Sequence, residues 1–192
     1  MKEAIKQILN DHISTIRSLQ KLDSDLIEIA EAMSKSLKNK KKLIFCGNGG
    51  SAADAQHLAT EFVVRFRSDF NRKSLAAIAL TTNSSLITAA ANDYGYEEIF
   101  SRQIEGLGEE GDYLIGISTS GNSMNVFKAV ETAQAKNIDT LLLTGQDGGK
   151  IKNIVDKSII VSNYNTARIQ EAHITVGHLL CLLVEKFYFK EK

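Results

Sequence analysis

The sequence predicts an α/β fold: a doubly wound, five-stranded parallel sheet with two helices before it and one long helix after it. Three observations predict this. Short apolar runs recur at 43–46, 75–80, 112–117, 139–143 and 158–162, each of strand length. Helical periodicity fills most of the gaps, and strands alternating with helices imply parallel pairing with both sheet faces covered. Glycines and small polar residues collect after the first and third runs, where open parallel sheets bind ligands beyond the strand ends. At 192 residues the chain is one domain with material for a proper core, with no linker, low-complexity tract or clear repeat.

The elements follow in order. Residues 3–20 place Ile5, Ile8, Leu9, Ile13, Ile16 and Leu19 at helical spacing. Residues 22–37 repeat the pattern with Leu26, Ile27, Ile29, Ala30, Met33 and Leu37. These two amphipathic helices make residues 1–40 an expected oligomerisation segment ahead of an α/β core over 41–192. The lysines at 38 and 40–42 read as a solvated helix end favoured by the helix dipole, not a nucleic-acid patch. The first strand breaks into Gly47-Asn48-Gly49-Gly50, and Ser51 opens a helix over 51–66: strand, tight turn, helix. Helical spacing then spans 84–106, with Asn92-Asp93 reading as a helix end and turn before Tyr94-Gly95-Tyr96. The third strand runs into Gly116-Ile117-Ser118-Thr119-Ser120-Gly121-Asn122-Ser123, followed by a helix over 123–136. The last two strands precede a helix from 166 to 189.

Composition narrows the function classes. Equal numbers of basic and acidic residues, 23 each, give no global pull toward nucleic acid or an anionic membrane. No apolar run approaches the roughly 18 residues of a membrane span. The charged start Met1-Lys2-Glu3 lacks a secretory core. Cys46 and Cys181 read as buried, reduced thiols, so the chain is expected to be cytoplasmic.

Two loops carry candidate chemistry. In the first, Asn48, Gly49, Gly50 and Ser51 let the backbone approach a ligand, and the helix start favours a phosphate. In the second, Ser118, Thr119 and Ser120, with Ser123 as helix cap, form a nest of neutral donors suited to a phosphate monoester. Gly116 and Gly121 have P-loop spacing, but Asn122 stands where the lysine belongs, so nucleotide hydrolysis is not expected. Gly47, Gly49 and Ala52 match a dinucleotide fingerprint, yet the second strand ends at Leu80-Thr81-Thr82-Asn83 without the acid that NAD binding requires. His57 and Glu61 lie at i and i+4 on one helix face, as a ligand pair or as a plain polar stripe. His178 lies among Leu179, Leu180, Leu182 and Leu183, where an imidazole needs a metal or a carboxylate as partner. His173 is about 140° away around the same helix, so it and His12 read as structural or surface groups.

Taken together these residues resemble the sugar isomerase domain (SIS) family, and within it the phosphoheptose isomerases. The carriers are Cys46–Ser51, His57-Leu58-Ala59-Thr60-Glu61, Ala91-Asn92-Asp93, Ile117–Ser123, Leu143–Gly149, and Arg168-Ile169-Gln170-Glu171 with His173 and His178. The likeness covers nearly the whole chain. It implies a flavodoxin-like sheet and conversion of sedoheptulose 7-phosphate to glycero-manno-heptose 7-phosphate for bacterial surface polysaccharide. It implies that Asn48, Gly49, Gly50, Ser51, Glu61, Asn92, Asp93 and Gln170 line the substrate, and that Ser118, Thr119, Ser120 and Ser123 hold its phosphate. It also implies zinc on His57, Glu61, Gln170 and His178, with Glu61 and His178 as the acid/base pair. Ala167 departs from the family, which often has Asp there. A family relative binds the replication initiator without catalysis, but it lacks the residues matching Glu61 and His178 and has a bulky cation at Ser120. This chain keeps all three, which favours the enzyme; the adaptor and a sugar-phosphate sensor are the alternatives.

Gln170 and His178 are separated by about 12 Å of rise and about 80° of turn on one helix. Zinc bonds of about 2 Å make it hard for both to reach one ion. The site is therefore expected at a subunit interface, with Glu61 and His178 converging across neighbouring protomers, and the resemblance implies a homotetramer.

Overall fold

The structure, a computed structural model, describes residues 1–190. Helices α1 (Lys2–Ser18) and α2 (Asp23–Lys38) precede strand β1 (Leu43–Gly47) and helix α3 (Gly50–Val63). Then come β2 (Ala77–Ala79), α4 (Ser84–Tyr94), α5 (Ser101–Leu107), β3 (Tyr113–Ser118) and α6 (Met124–Ala135). The chain ends with β4 (Asp139–Gly145), β5 (Lys157–Val161) and α7 (Thr166–Phe189). All strand pairs are parallel, in the order β2-β1-β3-β4-β5. That is the flavodoxin-like order, which reverses direction between β1 and β3 and opens a crevice at their carboxyl ends.

Period-two alternation splits each central strand between two cores. Leu43 and Phe45, Ile115 and Ile117, and Leu141 and Leu143 face the side covered by α2, α3 and α7. Ile44 and Cys46, Leu114, and Leu142 face the side covered by α4, α5 and α6. Each fully buried Leu, Ile or Phe contributes about 2 kcal/mol, so the sheet is held from both faces. The two cysteines sit in different cores as free thiols, and burial pushes Cys46 up to about 12.

The predicted order of elements holds, with two differences. The second strand is only Ala77–Ala79. The helical stretch expected over 84–106 is broken at Gly95, whose φ of +99° leaves helical space. A 3-10 turn at Tyr96–Glu98 fills the gap between α4 and α5.

Helix α7 holds no unbroken apolar run of membrane length, as expected, being interrupted by Arg168, Glu171 and Glu185. At 24 residues it is still long and apolar enough to cross a membrane by length and composition. It is instead a core helix of this fold. Ile169, Ala172, Val176, Leu180 and Val184 are buried in the core with α2 and α3. It also buries Arg168, His173 and Glu185, which apolar length alone does not reveal.

Candidate active site

The first and third strands end side by side, so their loops face one another across the crevice. After β1, Gly49 takes φ +56°, and α3 begins at Gly50. A side chain at Gly50 would stand 2.4 Å from Gln170 Nε2, so glycine is what lets α7 press its amide against this loop. After β3, Gly121 turns the chain at φ +64°, packed so closely on Gly148 that a Cβ would lie 1.9 Å from its carbonyl oxygen. The loop is braced from behind, since Gly145 N–H donates to the Thr119 carbonyl at 3.1 Å.

Between the loops lies a cavity of about 310 Å³, lined by Asn48, Gly49, Gly50, Ser51, Ser118, Thr119, Ser123 and Gln170, with Ile117 and Thr166. Ser118 Oγ donates to Ser123 Oγ at 3.0 Å. Ser120 lies in the same turn, where its Oγ accepts from Asn122 N–H at 3.2 Å. Among the described residues, no lysine or arginine lines the cavity. Its donors are hydroxyls, amides and backbone at the start of α3, a set that suits an anion of phosphate size.

Beside it, α3 and α7 bring together a second group. A Cβ at Gly177 would meet Leu58 Cδ2 at 2.5 Å, so the helices approach closely at this point. His178 of α7 thereby reaches His57 of α3, with their Nε2 atoms 2.8 Å apart. His57 Nε2 lies 3.5 Å from Glu61 Oε1. Burial holds His178 below the ordinary imidazole value, His57 adds to that, and Glu61 opposes it. His178 is therefore neutral at pH 7, the form that binds metals and shuttles protons. Arg72, almost fully buried, donates to the Glu61 carbonyl at 2.7 Å and to Glu185 Oε1 of α7 at 2.6 Å. It ties the end of α3, and with it Glu61, to α7.

This arrangement corrects the expectation that Glu61 and His178 meet across neighbouring protomers. They gather around His57 within one chain, because Gly177 lets the chain's own last helix deliver the imidazole. Gln170 sits instead with the phosphate-sized cavity. Asn92 and Asp93 are exposed at the end of α4 and bond each other, Nδ2 to Oδ1 at 2.8 Å; neither lines the cavity. His12 bonds Glu171 at 2.7 Å, and His173 is fully buried, so both are structural as expected.

The donor types at this second group suit zinc: two imidazole nitrogens facing each other and a carboxylate next to one. Among the described residues, no three His, Cys, Asp or Glu side chains are already grouped as a metal-binding set. The fit therefore rests on the kinds of donor and on the closeness of the two imidazoles.

Comparison with known proteins agrees with this geometry. A family model for the SIS domain matches residues 9–145. A phosphoheptose isomerase of a Nitratiruptor species is 47% identical over 98% of this chain and 100% of its own length. The chain belongs to the SIS domain family, among its phosphoheptose isomerases. The isomerase of Geotalea daltonii is 49% identical, with 100% of both chains covered. The solved phosphoheptose isomerase of Neisseria gonorrhoeae superposes with a TM-score of 0.90 at 42% identity, covering 96% of this chain and 98% of that one. That of Francisella tularensis also gives 0.90, at 34% identity over 97% and 98% of the two chains. The chain is thus an isomerase, and nothing in these likenesses supports the adaptor alternative.

Sequence reasoning missed several residues around this candidate site. Asp54 lies one turn before His57 on α3, with a buried Oδ2 that has no hydrogen-bond partner among the described residues. Burial raises its carboxyl to about 6, against the pull of His57. Its i−3 spacing from His57 was a usable signal. Asn125, Tyr96 and Arg72 gave none, since their partners are distant in sequence.

Proposed function

We propose that the enzyme interconverts D-sedoheptulose 7-phosphate and D-glycero-D-manno-heptose 7-phosphate, supplying heptose for bacterial surface polysaccharide. The observation that carries this reading is a nest of neutral phosphate donors beside a neutral imidazole and a carboxylate. Aldose–ketose exchange needs that pairing: one end of the substrate is anchored while a proton moves between C1 and C2 through an enediol. Ser118, Thr119, Ser120 and Ser123 hold the phosphoryl group, and Asn48, Gly49, Gly50 and Ser51 line the chain beyond it. Glu61 removes the carbon-bound proton and returns it at the neighbouring carbon. His178, neutral at working pH, gives and takes the proton of the carbonyl and hydroxyl oxygens.

His57, Glu61 and His178 would hold zinc, with Gln170 turning from the phosphate-sized cavity to join them, and the ion would as a Lewis acid polarise the substrate carbonyl. Asn92 and Asp93 complete the substrate contacts where subunits meet. The exposed apolar face of α1, with Ile5, Ile8, Leu9 and Ile13 between 45% and 58% exposed, supports assembly into a homotetramer through residues 1–40. The enzyme acts in the cytoplasm.

The test is isomerisation of sedoheptulose 7-phosphate by the wild type, by metal-stripped and zinc-restored protein, and by Glu61→Gln. The wild type should turn over, stripping should lower the rate and zinc should restore it. Glu61→Gln should lose about 10²–10⁴-fold in kcat while keeping its thermal transition. Wild-type protein with no turnover, or Glu61→Gln at full rate, overturns the assignment.

A further inference from the structure

The two ligand-binding loops are joined through Asn48 by two side chains, Asn125 and Tyr96, that neither the sequence nor the resemblance singled out. Asn48, in the first loop, faces Asn125, the second residue of α6. Asn48 Nδ2 donates to Asn125 Oδ1 at 2.9 Å, and Asn125 Nδ2 donates back to Asn48 Oδ1 at 2.8 Å. Asn125 is only 3% exposed, and its Oδ1 also accepts from Val126 N–H at 3.0 Å, so its amide is held in one orientation. From the other side, the Tyr96 hydroxyl donates to Asn48 Oδ1 at 2.9 Å. The Asn48 oxygen thus has both lone-pair positions filled by protein, and the side chain cannot turn without breaking these bonds.

The place of this cluster in the fold gives it a use. Asn48 and Ser123 line both the phosphate-sized cavity and a second hollow of about 420 Å³ reached past Tyr94, Tyr96 and Met124. The Asn48–Asn125 pair stands where the two spaces adjoin. It also spans from the end of β1 to the start of α6, so it fixes the separation of the loops that hold the two sides of the anion.

We propose that Asn125 and Tyr96 are positioning residues that act through Asn48, setting the width of the phosphate cavity and closing it from the neighbouring hollow. This rests on the reading of that cavity as the sugar-phosphate site. Loosening the clamp weakens ground state and transition state alike, because the phosphoryl group is distant from the proton transfer. It should therefore raise KM and leave kcat nearly unchanged. One neutral hydrogen bond lost at Asn48 corresponds to about a threefold loss, and the loss of the amide pair to about tenfold.

The experiment measures inorganic phosphate affinity by calorimetry and KM for sedoheptulose 7-phosphate in wild type, Tyr96→Phe, Asn125→Ala, Asn48→Ala and the double variant Asn48→Ala/Tyr96→Phe. Tyr96 is 60% exposed, so removing its hydroxyl leaves the fold intact even if Asn125→Ala does not fold. Tyr96→Phe should weaken phosphate binding and raise KM about threefold, with kcat within about twofold. In the Asn48→Ala background the same change should have no effect, because its only route to the site is gone. Unchanged affinity in Tyr96→Phe overturns the proposal. So does an equal loss in both backgrounds, or a fall in kcat at constant KM. A wild type that binds phosphate but does not isomerise the heptulose would sink the functional reading alone, since the phosphate arms still judge the clamp.

Discussion

His173→Met replaces a buried imidazole by a flexible apolar side chain of similar volume. His173 is fully buried on α7, and neither ring nitrogen makes a hydrogen bond of good geometry among the described residues, the Thr144 backbone being at most a weak partner. Burial drives its pKa from 6.5 down to about 4, with the Thr144 backbone offsetting part of the effect. The native state therefore keeps the ring neutral while the unfolded chain protonates it below about 6.5. Stability from this group is complete above that pH and is lost as pH falls toward about 4. Each pH unit of that gap is worth about 1.4 kcal/mol, so the native state should lose about 3 kcal/mol more in the wild type than in the variant. At pH 7 the substitution should be neutral or stabilising by about 1 kcal/mol, since it removes buried nitrogens without partners of good geometry. Urea unfolding of both proteins from pH 7 to pH 4, at one protein concentration, reads the difference directly. Curves that stay parallel over this range would refute the reasoning, because they would mean the ring is paired or hydrated in the native state.

Further outcomes follow from the loops and the first helix. Ser123→Ala removes a hydroxyl from the cavity and the partner of Ser118, and should raise KM about tenfold at similar kcat in steady-state kinetics. Gly121→Ala drives a Cβ into the Gly148 carbonyl at positive φ, and should cost about 1–3 kcal/mol in chemical denaturation while weakening phosphate binding. Ile8→Glu with Leu9→Glu places charges on the exposed apolar face of α1, and should dissociate the proposed assembly in light scattering.

Much of this protein was legible in its residues. Strand lengths, alternation within Leu43–Gly47 and Tyr113–Ser118, and the glycine breaks after them are local properties, so the parallel sheet and its two ligand loops follow from short stretches of chain. The hydroxyl run at Ser118–Ser120 and the i,i+4 pair His57–Glu61 are local too. The helix end before Gly95 was legible in the turn chemistry of Asn92-Asp93, although apolar spacing resumes beyond it, and the positive φ at Gly95 fixes where the helix stops.

Tertiary structure decided what depends on two distant segments meeting. Nothing in the spacing of residues 57 and 178 says that one chain unites them. That follows from Gly177 letting Leu58 close, a packing event between helices more than a hundred residues apart. The same holds for Gln170 against Gly50, for Arg72 bridging α3 and α7, and for the amides of Asn48 and Asn125. Periodicity reports which face of an element is apolar, but the separation and rotation of packed elements come from side-chain volumes meeting at the contact, and those select which polar groups touch.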